Sequence, residues 1–182
     1  MLYPNNLKKE YKKNISYANR GMDLEAIIND ANKFYEINDL AIIYKKPTPV
    51  CITKVTYDKN KALTKGLLQS KSTLDYVGIY KGKYLDFDAK STNSKTSFPL
   101  NNISNHQLKH IEKILQHGGI TFLILEINKE VFLFPGENLI YFIKHNTRKS
   151  IPYEYIKENG HLINMTYNPV LDYLKIIEEI YF

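Results

Sequence analysis

At 182 residues, 43% of them hydrophobic and only one (Cys51) a cysteine, the chain is long enough to bury one core without structural metal and has no thiol pair to bridge. Its formal net charge of +6 is unevenly placed, with net +4 over residues 1–20, net +7 over residues 44–95 and net −5 over the remainder. Basic blocks of this kind suit a polyanionic partner and argue against a small-metabolite enzyme; with no apolar run near the roughly 20 residues of a membrane span and no signal-like start, a cytoplasmic protein with no membrane partner is expected.

Residues 1–18 are polar, carry Lys8, Lys9, Lys12 and Lys13, and read as a flexible basic arm ahead of a single domain over 19–182. From Met22 the spacing of Leu24, Ile27, Ile28, Ala31, Phe34 and Tyr35 predicts a helix, with Asp23 and Glu25 at its positive end. Leu40 to Tyr44 and Val50 to Thr56 read as strands of one sheet, divided by Lys45-Lys46-Pro47-Thr48-Pro49, whose prolines exclude a central ladder. Between Lys54 and Ser72 runs a long basic excursion with Lys54, Lys59, Lys61, Lys65 and Lys71 against Asp58 alone. Long loops without a core of their own are functional or disordered.

The stretch from Leu74 to Lys90 reads as a β-hairpin, Val77 to Tyr80 and Tyr84 to Lys90, turned by a three-residue loop Lys81-Gly82-Lys83. In the second strand Leu85, Phe87 and Ala89 share one face and Asp86, Asp88 and Lys90 the other, while the hairpin returns Asp75 beside Asp88. Two carboxylates placed together repel unless a cation lies between them, and hard oxygen donors suit Mg²⁺ or Mn²⁺, with Lys90 ready for water or phosphate. The same spacing also suits a solvated strand face of alternating charge, and alternation does not say whether Asp86 or Asp88 is the ligand.

Beyond the hairpin, Ser91 to Asn102 is polar. A helix then carries Leu108, Ile111, Ile114 and Leu115, opens on a Ser104/Gln107 capping box and stops at Gly118-Gly119. His106 and His110, four apart, lack a third partner for zinc. Ile120 to Ile127 and Glu130 to Phe134 read as inner strands joined by Asn128-Lys129, and Leu139 to Ile143 and Leu171 to Tyr181 as short amphipathic helices.

Asp75 followed thirteen positions later by Asp88-x-Lys90 resembles the PD-(D/E)xK nuclease motif. The runs Ser72 to Gly82, Asn19-Arg20-Gly21-Met22 through Glu25, Lys45 to Val50, Lys95 to Leu100 and Asp172 to Phe182 resemble, in order, the RecU family of Holliday junction resolvases. One position departs from the pattern: the usual Glu is Asp88, an arm shorter by one methylene.

The resemblance implies an α/β fold with a mixed central sheet flanked by helices, restriction-endonuclease-like, with a protruding basic stalk at about 54–72. It also implies Mg²⁺- or Mn²⁺-dependent cutting of four-way DNA junctions in homologous recombination and repair by a homodimer, with a recombinase and a branch-migration helicase as further partners. Asp75 and Asp88, aided by the Ala89 carbonyl, would hold the metal; Lys90, Glu25 and Gln107 would complete the catalytic set; Arg20, Lys54, Lys59, Lys61, Lys65, Lys71 and Thr73 would face DNA. A non-catalytic branched-DNA-binding module and a restriction-type endonuclease on the same scaffold are the alternatives.

Overall fold

The computed structural model describes residues 23–47, 50–58, 61–68 and 73–182, with the backbone alone for 50–58 and 61–68. The arm of residues 1–18, Arg20, Lys59 and Lys71 lie outside the described residues.

Helix α1 (Leu24–Ile37) starts where the Asp23 side chain accepts the Glu25 N–H, and it buries Leu24, Ile27, Ile28, Ala31 and Tyr35. Strand β1 (Ile42–Lys45) follows, then β2 (Val50–Asp58) and β3 (Lys61–Leu68), then β4 (Tyr76–Tyr80) and β5 (Lys83–Ser91). The short β6 (Ser97–Pro99) and a single 3₁₀ turn lead into α2 (Asn105–Gln116), β7 (Ile120–Ile127), β8 (Glu130–Pro135) and α3 (Gly136–His145). Last come β9 (Ser150–Pro152), α4 (Tyr153–Asn159), β10 (His161–Leu162) and α5 (Tyr173–Tyr181). The architecture is α/β, as the sequence predicts.

Six strands make the main sheet, in the order β1-β4-β5-β7-β8-β10. All neighbours are antiparallel except β5 and β7, which run parallel because α2 carries the chain across between them. Both faces are covered. On one, α1 and α5 pack against Ile43, Tyr76, Leu85, Phe87, Phe122 and Ile124. On the other, Ile111, Leu139, Phe142 and Ile156 from α2, α3 and α4 meet Leu123, Leu125, Phe132 and Phe134.

Three expectations change. Strand β2 does not join the main sheet: it pairs antiparallel with β3 from Val50↔Leu68 to Asp58↔Lys61, so the basic excursion is a two-stranded ribbon rather than a loop. Alternation along Val50 to Thr56 fits a separate ribbon as well as a sheet strand, and so could not tell them apart. The β4–β5 turn has two residues, not three, because Tyr80 pairs with Lys83 and both Lys81 (φ 46°) and Gly82 (φ 77°) take left-handed conformations, which matches the strand twist. The closing helix starts at Tyr173, since Leu171 is held in a bridge with Met165. The glycine of the Gly78-Ile79-Tyr80 run is explained by β1, because a Cβ on Gly78 would overlap the Ile42 carbonyl.

Candidate active site

Strand β5 brings the candidate residues together. Register pairs Tyr76 with Phe87, so one step further places Asp75 opposite Asp88 at the end of the β4–β5 ribbon. Asp86 and Asp88 are both fully buried, because α2 crosses this face of the sheet. The solvated-face alternative therefore fails, and two carboxylates taken out of water need compensation.

Asp86 has it in full. Lys46 Nζ lies 3.0 Å from its Oδ1 and 2.9 Å from its Oδ2, the Tyr84 hydroxyl donates to Oδ2 from 2.9 Å, and His110 Nε2 is 2.9 Å from the same oxygen. A carboxylate only accepts, so His110 carries its proton on Nε2. Little of Asp86 is left for a cation.

Asp88 is compensated on one side only. Its Oδ2 takes the Lys90 ammonium from 2.9 Å and the Gln107 amide from 2.8 Å, whereas its buried Oδ1 has no partner among the described residues. Burial pushes the Asp88 carboxyl up from 3.8 to about 6, with Asp75 adding to the rise and Lys90 and the Ala89 backbone opposing it. An orphaned buried carboxylate oxygen beside a second carboxylate fits a divalent cation. Among the described residues no group of three or more His, Cys, Asp or Glu side chains could hold a metal, so a cation at Asp88 would draw on few protein oxygens. Carboxylate oxygens in so sparse a set are donors of the kind that a hard divalent cation accepts while keeping several waters.

The orientation of Gln107 follows from its neighbours. Its Oε1 accepts the Ser104 N–H from 3.0 Å, which turns its amide protons toward Asp88 and the Thr73 carbonyl, 3.1 Å away. One side chain thus caps α2 and touches the site.

Glu25, on the first turn of α1, is paired with Lys45 rather than with Asp88. The buried Tyr76 hydroxyl, without a partner among the described residues, has its pKa raised chiefly by burial, with the charges of Glu25, Asp75, Asp23 and Asp88 adding to the rise. Thr73 is half-buried and its hydroxyl accepts from Lys46. Lys54, Lys61 and Lys65 fall on β2 and β3. Sequence reasoning overlooked Lys46, Tyr84 and the role of His110. The signal for His110 was its position one turn after Gln107 on the same helix face.

A family model described as Recombination protein U, RecU, matches residues 19–179. The Holliday junction resolvase RecU of Bacillus pumilus (strain SAFR-032) is 42% identical over 186 residues, covering 100% of this chain and 91% of that protein. Its namesake from Bacillus subtilis (strain 168) is 44% identical over 172 residues, covering 92% of this chain and 84% of that one. Among solved structures, Archaeoglobus fulgidus Hjc, a Holliday junction resolvase, aligns at a TM-score of 0.36 and 15% identity over 50% of this chain and 69% of its own, too slight a likeness to carry an argument. Matched by the family's model over most of its length and related to its resolvases almost end to end, the chain belongs to the RecU family.

Proposed function

We propose that the protein is an endonuclease that resolves four-way DNA junctions in recombination, using Mg²⁺ or Mn²⁺ held by Asp75, Asp88 and the Ala89 carbonyl. The observation that carries the metal reading is the buried Asp88 Oδ1, left without a partner while Oδ2 is doubly held. When bound, the ion supplies Lewis acidity to the phosphodiester and to water. Lys90, 2.9 Å from Asp88, steers the attacking water or balances charge on the phosphate. Gln107 keeps the Asp88 carboxylate from rotating. Glu25 stands at the rim on α1, tied to Lys45, within reach of an incoming backbone.

The ribbon β2–β3 supplies Lys54, Lys61 and Lys65 for junction phosphates, with Arg20, Lys59 and Lys71 as further contacts in segments outside the described residues. A junction has two equivalent strands to cut, which a two-fold homodimer matches. An apolar surface that would suit a second copy supports this: exposed Ile42, Tyr44, Ile79 and Tyr84 lie together on β1, β4 and β5, with Ile42 opposite Ile79 and Ile79 opposite Tyr84. Among the described residues no helix is long and apolar enough to cross a membrane. A cytoplasmic site of action, with a recombinase and a branch-migration helicase nearby, accords with this reading.

The test is incubation of the purified protein with labelled four-way junction and with linear duplex, with Mg²⁺, with Mn²⁺ and with chelator. Metal-dependent nicking of the junction in preference to duplex is expected. Equal cutting of duplex would favour a restriction-type enzyme, and binding without cutting in either metal a non-catalytic module.

A further inference from the structure

The ribbon β2–β3 leaves the main sheet after Lys46-Pro47, and the chain returns to it through Thr73. These two roots are tied to each other and to the site. The Lys46 N–H donates to the Asp75 carbonyl at 2.7 Å. The three protons of its ammonium meet three acceptors, Thr73 Oγ1 at 3.1 Å and the two Asp86 oxygens at 3.0 and 2.9 Å. The Thr73 carbonyl accepts one amide proton of Gln107 from 3.1 Å, and the other goes to Asp88 Oδ2 at 2.8 Å. An unbroken series of polar contacts therefore runs from the entry root, Lys46, through the exit root, Thr73, to Gln107 and the carboxylate. Asp86 is its fixed end: it sits on β5, is fully buried, and is held again by Tyr84 and His110. Gln107 shares its amide between a root of the ribbon and the site, so a shift of Thr73 reorients the group that holds Asp88.

We propose that Lys46 and Thr73 are positioning residues: locked on Asp86, they fix the roots of the ribbon and, through Gln107, set the Asp88 carboxylate, so that DNA seated on the ribbon is coupled to cleavage. The coupling to cleavage rests on the junction-cutting reading; the setting of Asp88 does not. Lys46 lies in a basic run and would ordinarily be read as a phosphate contact, but its ammonium protons are already committed inside the protein.

Thr73→Val removes the hydroxyl without altering charge, and Thr73→Ser retains it. Three quantities are measured for these and for Lys46→Met: junction affinity in chelator across a salt series, the single-turnover cleavage rate at saturating protein, and Mn²⁺ affinity without DNA by electron paramagnetic resonance. Thr73→Val is expected to cleave about tenfold more slowly at saturation and to bind Mn²⁺ more weakly in the absence of DNA; Thr73→Ser restores both. Lys46→Met combined with Gln107→Ala is expected to cleave no more slowly than the worse single variant, since both interrupt one series. The proposal is overturned if Thr73→Val matches the parent in rate and Mn²⁺ affinity, or if the two defects multiply. It also falls if Lys46→Met flattens the salt slope by about 0.9 while the saturated rate is kept, the signature of a phosphate contact. Should Lys46→Met not fold, the Thr73 pair decides alone. If the parent protein cuts no junction, the functional reading has failed, and the Mn²⁺ affinities of the Thr73 variants still judge the positioning.

Discussion

Gln107 holds one oxygen of Asp88 from 2.8 Å, while the other oxygen of the same carboxylate is buried without a hydrogen-bond partner among the described residues. The protein fixes one half of the group and reserves the other. Asp88→Asn and Asp75→Asn each remove a charge proposed to hold the metal and leave the basic ribbon intact. Both are expected to lose cleavage, by at least about a hundredfold, and to keep junction affinity in gel shifts with chelator present. Full activity of either at saturating Mn²⁺ would sink the metal assignment.

The raised Asp88 carboxyl, about 6 against an ordinary 3.8, makes two pH predictions. Metal needs the ionised form, so Mn²⁺ affinity at low occupancy should climb with pH through about 6 and then level off. The metal-free fold should show the reverse trend. Between 3.8 and 6 the native chain keeps a proton that the unfolded chain has lost, so stability falls across that window and stays lower above it. Asp88→Asn should therefore melt several degrees above the parent at neutral pH, at about 2–4 °C per kcal/mol, and lose that advantage near pH 4. An equal or lower melting temperature at pH 7 would argue against a strained carboxylate.

Asp86→Asn is not an innocuous control, although alternation along β5 sets Asp86 beside Asp88 as an equivalent. It would strip the charge facing Lys46 and His110 inside the protein and is expected to destabilise by about 3 kcal/mol, read from urea unfolding. Slower cleavage should accompany this, with Mn²⁺ still bound, because the positioning series loses its anchor. Complete loss of Mn²⁺ binding in a folded Asp86→Asn protein would transfer the ligand role to Asp86.

For the ribbon the reading is in salt. Replacing Lys54 and Lys65 with Gln should lower the slope of log affinity against log salt by about 1.8 on a junction if both meet phosphates. The drop should be smaller on linear duplex, which lacks the phosphates crowded at a junction's centre. Equal drops on both substrates would reduce the ribbon to a non-specific hook.

The exposed row of Ile42, Tyr44, Ile79 and Tyr84 should sediment as a dimer interface at micromolar concentration, and Ile79→Lys should shift the protein toward monomer. A monomeric parent, alone and on junction DNA, would remove the two-fold reading.

Much of this was legible in the residues because it is local. Apolar spacing marks α1 and α2, period-two patterning marks β5, an unbroken apolar run marks β7, and the return of Asp75 beside Asp88 follows from hairpin arithmetic. What escaped depends on contacts between distant segments. Nothing near Asp86 announces that Lys46, forty residues earlier, neutralises it, or that α2 covers both aspartates. The Val50–Leu68 ribbon reads from sequence as a strand and a loop because period-two patterning is the same whether a strand joins the sheet or pairs apart from it. Helix α4, seven residues with one fully covered apolar side chain, is too short for its periodicity to register.

The parallel pairing of β5 with β7 bears on the order of events at synthesis. Asp88 is laid down before α2 exists, and its strand gains its second neighbour only when residues 120–127 arrive and the crossover closes. Pairing of this kind carries a large loop-closure entropy, so it comes late. On the ribosome, a chain that has not yet released β7 leaves one edge of the strand that carries Asp88 open to water, so full burial of that carboxylate waits on the crossover.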